Sequence, residues 1–185
     1  MLSRISGSLS RSEQEALRLE IAERGRQDLH FFAAVVCGVT CMSPTDALHG
    51  RVCSFLSDAR WVRKWLEIFR GGLKSTLGNC WDLQAVVRDP SERRLIMSAV
   101  HDLSKMFLRD IKSIILSRTF RTIYPEIRPV KSLWNLREAA VTVPGMKHGG
   151  REATFGTGGL DVGLTGTHWS SIRWDDLVID KNSET

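Results

Sequence analysis

The first feature of this sequence that could take part in chemistry is a lysine that follows two glycines. The segment Arg70-Gly71-Gly72-Leu73-Lys74-Ser75-Thr76 places Lys74 and Ser75 directly after a glycine turn. Backbone N–H groups at a helix N-terminus, together with one lysine, can bind the phosphates of a nucleotide. A Ser or Thr directly after that lysine can give an oxygen ligand to Mg²⁺. The segment predicts a phosphate-binding loop, with a glycine turn before an ordinary exposed lysine as the alternative.

The loop does not match the usual Gly-x-x-x-x-Gly-Lys-[Ser/Thr] pattern. Counted back from Lys74, the two expected glycine positions hold Leu73 and Ile68, while the glycines stand at 71 and 72. The spacing alone therefore leaves both interpretations open.

Two adjacent carboxylates near the end of the sequence form a second candidate. Asp175 and Asp176 follow a short segment, 171–174, that reads as a strand. A carboxylate at the end of a buried strand can hold Mg²⁺ through water, and a neighbouring one can orient and deprotonate an attacking water. We expect Asp175 to take the first role and Asp176 the second. The alternative is a turn, since aspartates are common turn formers.

The surrounding pattern alternates between strands and helices after a helical start. Apolar spacing predicts helices at about 13–38 and 44–56, then at 75–87 and 101–116, the last strongly amphipathic. Strands are predicted at 65–69, 94–99, 140–143, 153–155 and 171–174, with loops near 124–129 and in the glycine-rich stretch 156–166. This order predicts an α/β domain with a largely parallel sheet.

Composition narrows the class of protein. The chain has 185 residues, 42% of them hydrophobic and 25% charged, and a net charge of +5, which is typical of a globular domain with some preference for acidic partners such as nucleotides or nucleic acids. No apolar run approaches a membrane span, and no secretory signal is recognisable. The four cysteines (37, 41, 53 and 80) are expected to be free thiols; a zinc site that includes His49 is a weaker alternative.

Several separated segments resemble the ATPase domain of phage terminase large subunits, over roughly residues 28–182. The loop at 70–76 resembles the family's deviant phosphate loop, Arg-Gly-x-x-Lys-Ser-Thr. Leu164-Thr165-Gly166-Thr167-His168 resembles the family's Leu-Thr-Gly-x-His segment, and Asp175-Asp176-Leu177-Val178 its Asp-Asp-Leu-Val segment. Ser170 and Arg173 depart from the family pattern, because Asp is usual at the first position and an apolar residue at the second.

The resemblance implies a site and an activity. It implies a P-loop NTPase-type three-layer domain preceded by N-terminal helices. The helical segment would span residues 1–60. The ATPase core would span residues 61–185 and be partial, with its last strands missing. Residues 70–76 would bind ATP, and Lys74 would neutralise charge on its phosphates. Ser75 and Asp175 would hold Mg²⁺, and Asp176 would be the catalytic base for ATP hydrolysis.

The resemblance also implies partners and a place of action. The partners are double-stranded DNA, the portal and the small terminase subunit, and no membrane is involved. The chain would act as a homo-oligomeric ring in the cytoplasm of the infected bacterium. Two alternatives stay open at this point. One is another P-loop ATPase of helicase type, and the other is an inactive truncated remnant that only binds DNA or a capsid partner.

Overall fold

The computed structural model of the protein describes residues 10–40, 42, 47–144, 146, 152–160 and 168–176. The helices are α1 (Arg11–Gln27), α2 (Leu29–Phe31, continued by a π-helical turn at Phe32–Val36), α3 (Ala47–Ser57), α4 (Lys74–Arg88), α5 (His101–Leu116) and α6 (Arg118–Ile123). The strands are β1 (Arg94–Ser98), β2 (Arg128–Trp134), β3 (Glu138–Thr142), β4 (Phe155–Gly159) and β5 (Ser171–Trp174).

The five strands form one mixed sheet in the order β2-β3-β4-β1-β5. Strand β1 pairs in parallel with both β4 and β5, whereas β2 pairs antiparallel with β3 and β3 antiparallel with β4. The predicted α/β class is confirmed, but the predicted largely parallel sheet is wrong. Strand β2 begins within the loop predicted near 124–129 and continues through residues for which no element was predicted, because Pro125 and Pro129 obscured a segment that pairs with β3 as a hairpin.

The described helices and the sheet enclose a hydrophobic core. Helix α5 packs on β1, β3 and β4, α4 packs on α5, and α1 and α3 pack on α4. The apolar face predicted for α5 is confirmed, since its residues Phe107, Leu108, Ile111 and Ile115 are buried. The part of the core contributed by the sheet comprises Ile96, Ala139, Val141 and Phe155. The predicted three-layer arrangement and the division at residue 60 stay predictions.

The strand predicted at 65–69 is absent from the described sheet. The segment has no regular secondary structure, and the exposure of its side chains alternates: Leu66 and Ile68 pack against the core, whereas Trp65 and Phe69 are 78% and 69% exposed. The apolar run that predicted a strand is therefore partly buried, but the described residues give this backbone no sheet neighbour. A strand needs a neighbouring backbone as well as an apolar run, and a local pattern does not report that neighbour.

The helix predicted at 13–38 is interrupted at Asp28. Its backbone is extended there, and its carboxylate accepts a hydrogen bond from the Phe31 N–H at 2.9 Å, so it ends α1 and caps α2. The second helix begins at Ala47 in the structure, and residues 43–46 of its predicted range lie outside the described residues.

Part of the predicted glycine-rich loop is a buried strand. Residues 156–159 belong to β4, where a Cβ atom on Gly156 would lie 2.3 Å from the Trp169 ring. The glycine at this position leaves space for an indole packed on the sheet, whereas residues 161–167 of the predicted loop lie outside the described part of the chain. Among the described helices, none combines the length and apolar character of a membrane span.

Candidate functional site

A tight glycine turn places Lys74 at the first position of α4. The Gly72 N–H donates a hydrogen bond to the Phe69 carbonyl at 3.0 Å, and Gly71 has a φ of +90° that favours glycine. A Cβ atom on Gly72 would come within 3.1 Å of the same carbonyl. Helix α4 continues for 15 residues, so the N–H groups of its first turn and its dipole favour an anion beside Lys74.

The acidic pair is held at the end of β5 by the neighbouring strand. The Asp175 N–H donates to the Met97 carbonyl at 2.9 Å, and the Ala99 N–H donates to the Asp176 carbonyl at 3.2 Å. The Asp175 side chain is buried, with 4% exposure, and the Asp176 side chain is 51% exposed. The two carboxylates therefore differ in environment, as a metal ligand and a solvent-facing base would need to.

The two halves of the predicted site meet in the structure. The Lys74 Nζ atom lies 3.1 Å from Asp175 Oδ1 and 2.8 Å from Asp176 Oδ1. Burial disfavours the charged ammonium, but its hydrogen bond to Asp176 and the negative charges of Asp175 and Asp176 outweigh this effect, so the pKa of Lys74 is raised. Lys74 is therefore a cation at neutral pH, positioned between a helix N-terminus and two carboxylates.

Unusual backbone conformation accompanies this contact on both sides. In the described residues, Leu73 (φ 60°) and Asp176 (φ 50°) are the non-glycine positions with positive φ. Leu73 directly precedes the lysine, and Asp176 is one of its two partners. Because strained backbone of this kind clusters at functional sites, this observation favours a binding or catalytic role over an ordinary surface ion pair.

The carboxylate of Asp175 fits the metal role predicted for it. Its Oδ2 atom accepts a hydrogen bond from Arg173, while its buried Oδ1 atom has no hydrogen-bond donor and lies at ion-pair distance from Lys74. Ser75 lies in the first turn of α4 and is half-buried. Ser75 and Asp175 would give only two protein ligands. This number suits Mg²⁺, which keeps waters and phosphate oxygens as its other ligands.

Other metal sites find no support in the described residues, where no group of three or more His, Cys, Asp or Glu side chains forms a metal-binding cluster. Cys37, Cys53 and Cys80 are free thiols, and Cys41 lies outside the described residues. Arg70 and Thr76, at the two ends of the predicted loop, are exposed to solvent, and nothing in the structure tests their predicted contact with phosphate.

Arg173 is the site residue that sequence reasoning misjudged. It was identified as an interruption of an apolar strand, but its guanidinium contacts Asp82, Asn79 and Asp175 at 2.6, 2.6 and 2.7 Å. Its contact with Asp175 could have been found from the spacing, because residues two apart on a strand share a face, and Arg173 precedes Asp175 by two. Its contacts with α4 had no such local signal. Asn79 and Asp82 likewise share a face of α4 at a spacing of three residues.

Comparison with known proteins adds no family assignment. No protein-family model matches the chain, and no curated protein matches it. The resemblance to terminase large subunits therefore stays a prediction that rests on the quoted segments.

Proposed function

We propose that this chain binds ATP with Mg²⁺ and hydrolyses it. One observation supports the proposal most directly: a lysine at the start of a 15-residue helix lies within 3.1 Å of two carboxylates at the end of a parallel strand. The lysine and the carboxylates were predicted separately, from segments about a hundred positions apart, as halves of one nucleotide site. Their contact is difficult to explain as a surface ion pair, because Asp175 is buried.

The proposed chemistry assigns one task to each residue. The N–H groups of the turn and first helical residues bind phosphate oxygens, and Lys74 neutralises charge that develops on the transferred phosphoryl group. Ser75 and Asp175 hold Mg²⁺, which supplies further neutralisation of phosphate charge. Asp176, half-exposed beside the lysine, orients the attacking water and accepts its proton.

The proposed biological setting is viral DNA packaging. The resemblance in the segments at 70–76, 164–168 and 175–178 suggests that ATP hydrolysis drives double-stranded DNA into a procapsid. In that setting the portal and small terminase subunit are partners, and several copies work as a ring in the host cytoplasm. A helicase-type ATPase would use the same site residues with a different DNA substrate.

A second candidate function is binding without turnover. It is favoured by the segment 65–69, which precedes the glycine turn yet lies outside the described sheet. If the turn is supported less rigidly than a catalytic loop requires, the chain could bind nucleotide, DNA or a capsid partner without hydrolysing ATP.

The experiment that tests the proposal is ATP binding by the wild type and by Lys74→Ala. We expect Lys74→Ala to weaken binding by at least about tenfold, equivalent to 1.4 kcal/mol. The matched control is Lys105→Ala, which removes another ion-paired lysine, bonded to Asp102 on α5. Equal binding by the wild type and Lys74→Ala would contradict the proposal, and binding without measurable turnover would support the second candidate.

A further inference from the structure

Arg173 links the two elements that carry the proposed nucleotide site. From β5, its Nη1 donates to Asp175 Oδ2 at 2.7 Å. Across to α4, its Nε donates to Asp82 Oδ2 at 2.6 Å and its Nη2 to Asn79 Oδ1 at 2.6 Å. The side chain is 9% exposed and its Cζ atom lies 5.3 Å from the centre of the Phe107 ring. One guanidinium thus connects the helix that begins at Lys74 with the strand that Asp175 directly follows.

The sequence of α4 leaves room for this connection. A Cβ atom on Gly78 would lie 3.0 Å from Arg173 Nη1 and 3.1 Å from its Cδ. Glycine inside a helix is unfavourable relative to alanine by roughly 1 kcal/mol. Its presence in the middle of α4 is explained by the passage of the arginine, whose stem and head lie against the helix at this point.

The contact with Arg173 also determines which oxygen of Asp175 faces Lys74. Oδ2 accepts the arginine hydrogen bond, and Oδ1, buried and without a hydrogen-bond donor, is the atom that lies 3.1 Å from Lys74. A carboxylate held through one oxygen presents the other in a defined direction, which is how hydrogen-bonded neighbours orient metal-binding carboxylates.

We propose that Arg173 is a positioning residue that orients Asp175 toward the bound Mg²⁺ and ties it to helix α4. The inference rests on the proposed ATP site. It assigns to Arg173 a role in metal-dependent nucleotide binding, beyond filling the space between α4 and β5.

Arg94 provides a matched control for a purely structural role. It is also buried, with 6% side-chain exposure, and its Nε donates to the other oxygen of Asp82 at 3.1 Å. Its guanidinium packs on the Trp81 ring, with Cζ 4.3 Å from the ring centre. Loss of either arginine leaves Asp82 with one cationic partner, but of the two substitutions only loss of Arg173 also removes the hydrogen bond to Asp175.

The test measures the affinity of a fluorescent ATP analogue with Mg²⁺ and with EDTA, and takes the ratio as the magnesium-dependent gain. We expect Arg173→Gln to reduce this gain by at least about tenfold, and Arg94→Gln to leave it within about threefold of wild type. Gly78→Ala, which removes no charge and improves helix propensity, should reduce the gain by about threefold or more, because its methyl group forces the guanidinium to shift from its position between α4 and Asp175. Lys74→Ala should lose affinity under both conditions.

Equal gains in Arg173→Gln and Arg94→Gln would overturn the inference while leaving the ATP site intact. Equal affinities of the wild type and Lys74→Ala would overturn the ATP site, and the inference with it. Thermal unfolding of each variant establishes that it is folded at the assay temperature. If Arg173→Gln is not folded, Gly78→Ala decides: a gain unchanged from wild type overturns the inference.

Discussion

The ammonium group of Lys74 lies 2.8 Å from Oδ1 of Asp176, a residue 102 positions further along the chain. If Asp176 is the base of the proposed reaction, the substitution Asp176→Asn should separate binding from chemistry. Asparagine keeps the shape of the side chain and tolerates the left-handed backbone at this position, but it cannot accept the proton of water. We expect ATP affinity within about threefold of wild type and turnover lowered by about a hundredfold or more, measured as phosphate release. Unchanged turnover would exclude Asp176 as the base.

The buried carboxylate of Asp82 should contribute strongly to stability. It is 1% exposed and accepts hydrogen bonds from both Arg94 and Arg173. Asp82→Asn removes this shared anion, although Arg173 keeps Asp175 as a partner and Arg94 keeps Glu92 at 3.5 Å. We expect the free energy of unfolding to fall by about 2–3 kcal/mol in urea denaturation. The matched control is Asp102→Asn, whose carboxylate is 85% exposed in its pair with Lys105 and should change stability by about 0.5 kcal/mol or less. Similar effects of the two substitutions would contradict this account.

A close approach between α1 and Tyr124 predicts a large effect of one methyl group. A Cβ atom on Gly25 would lie 2.4 Å from the Tyr124 hydroxyl, which donates a hydrogen bond to the Ala22 carbonyl at 2.9 Å. Gly25→Ala must therefore displace a fully buried ring or move the helix. We expect the free energy of unfolding to fall by about 1–3 kcal/mol, measured by urea denaturation.

The hydroxyl group that causes this clash can be removed as a control. In the Tyr124→Phe background the methyl group at Gly25 meets less obstruction, so Gly25→Ala should cost less there than in the wild type. A double-mutant cycle measures the difference, which we expect to be at least about 0.5 kcal/mol. Additive effects of the two substitutions would show that the hydroxyl is not the obstacle.

Alkaline pH should destabilise the fold through buried acidic groups. Burial, with smaller contributions from Cys80 and Asp28, raises the pKa of Cys53 from about 9 to about 12. Between these values the unfolded chain loses the thiol proton and the native chain keeps it, so stability decreases as pH rises, by about 1.4 kcal/mol per pH unit from this group. Burial also raises the pKa of Tyr124, which adds to the loss above its ordinary value of 10.

Urea denaturation at pH 8, 9.5 and 10.5 measures this dependence. The Cys53→Ala variant is the control, because it lacks the titrating thiol and should show a shallower decline over the same range. A wild-type stability that stays constant to pH 10.5 would contradict the assignment of a neutral buried thiol.

The sequence pattern predicted the helices and strands that are determined by their own residues. The α5 boundaries at His101 and Leu116 and the β5 boundaries at Ser171 and Trp174 agree with the predicted ranges, because an amphipathic face and a short strand before two aspartates are visible in the sequence itself. The meeting of Lys74 with Asp175 and Asp176 was implied by the resemblance, which places the glycine turn and the strand end in one site.

Features that depend on a distant neighbour could not be predicted in this way. Residues 65–69 alternate as a strand does, but pairing depends on a second backbone that no local pattern reports. Gly156 looked like part of a loop, because the Trp169 ring that needs its space is thirteen positions away. Arg173 looked like a charged interruption of an apolar strand, because its partners Asn79 and Asp82 lie on a helix far earlier in the chain.

The left-handed backbone at Leu73 and Asp176 has a consequence for protein engineering. A residue other than glycine in this conformation costs roughly 1 kcal/mol, and more for a branched apolar side chain than for aspartate. Leu73 offsets part of that cost by packing against the core. A search for thermostable variants would therefore select glycine at positions 73 and 176. These positions adjoin Lys74 and include the proposed base, so a gain in stability there conflicts most directly with retained activity.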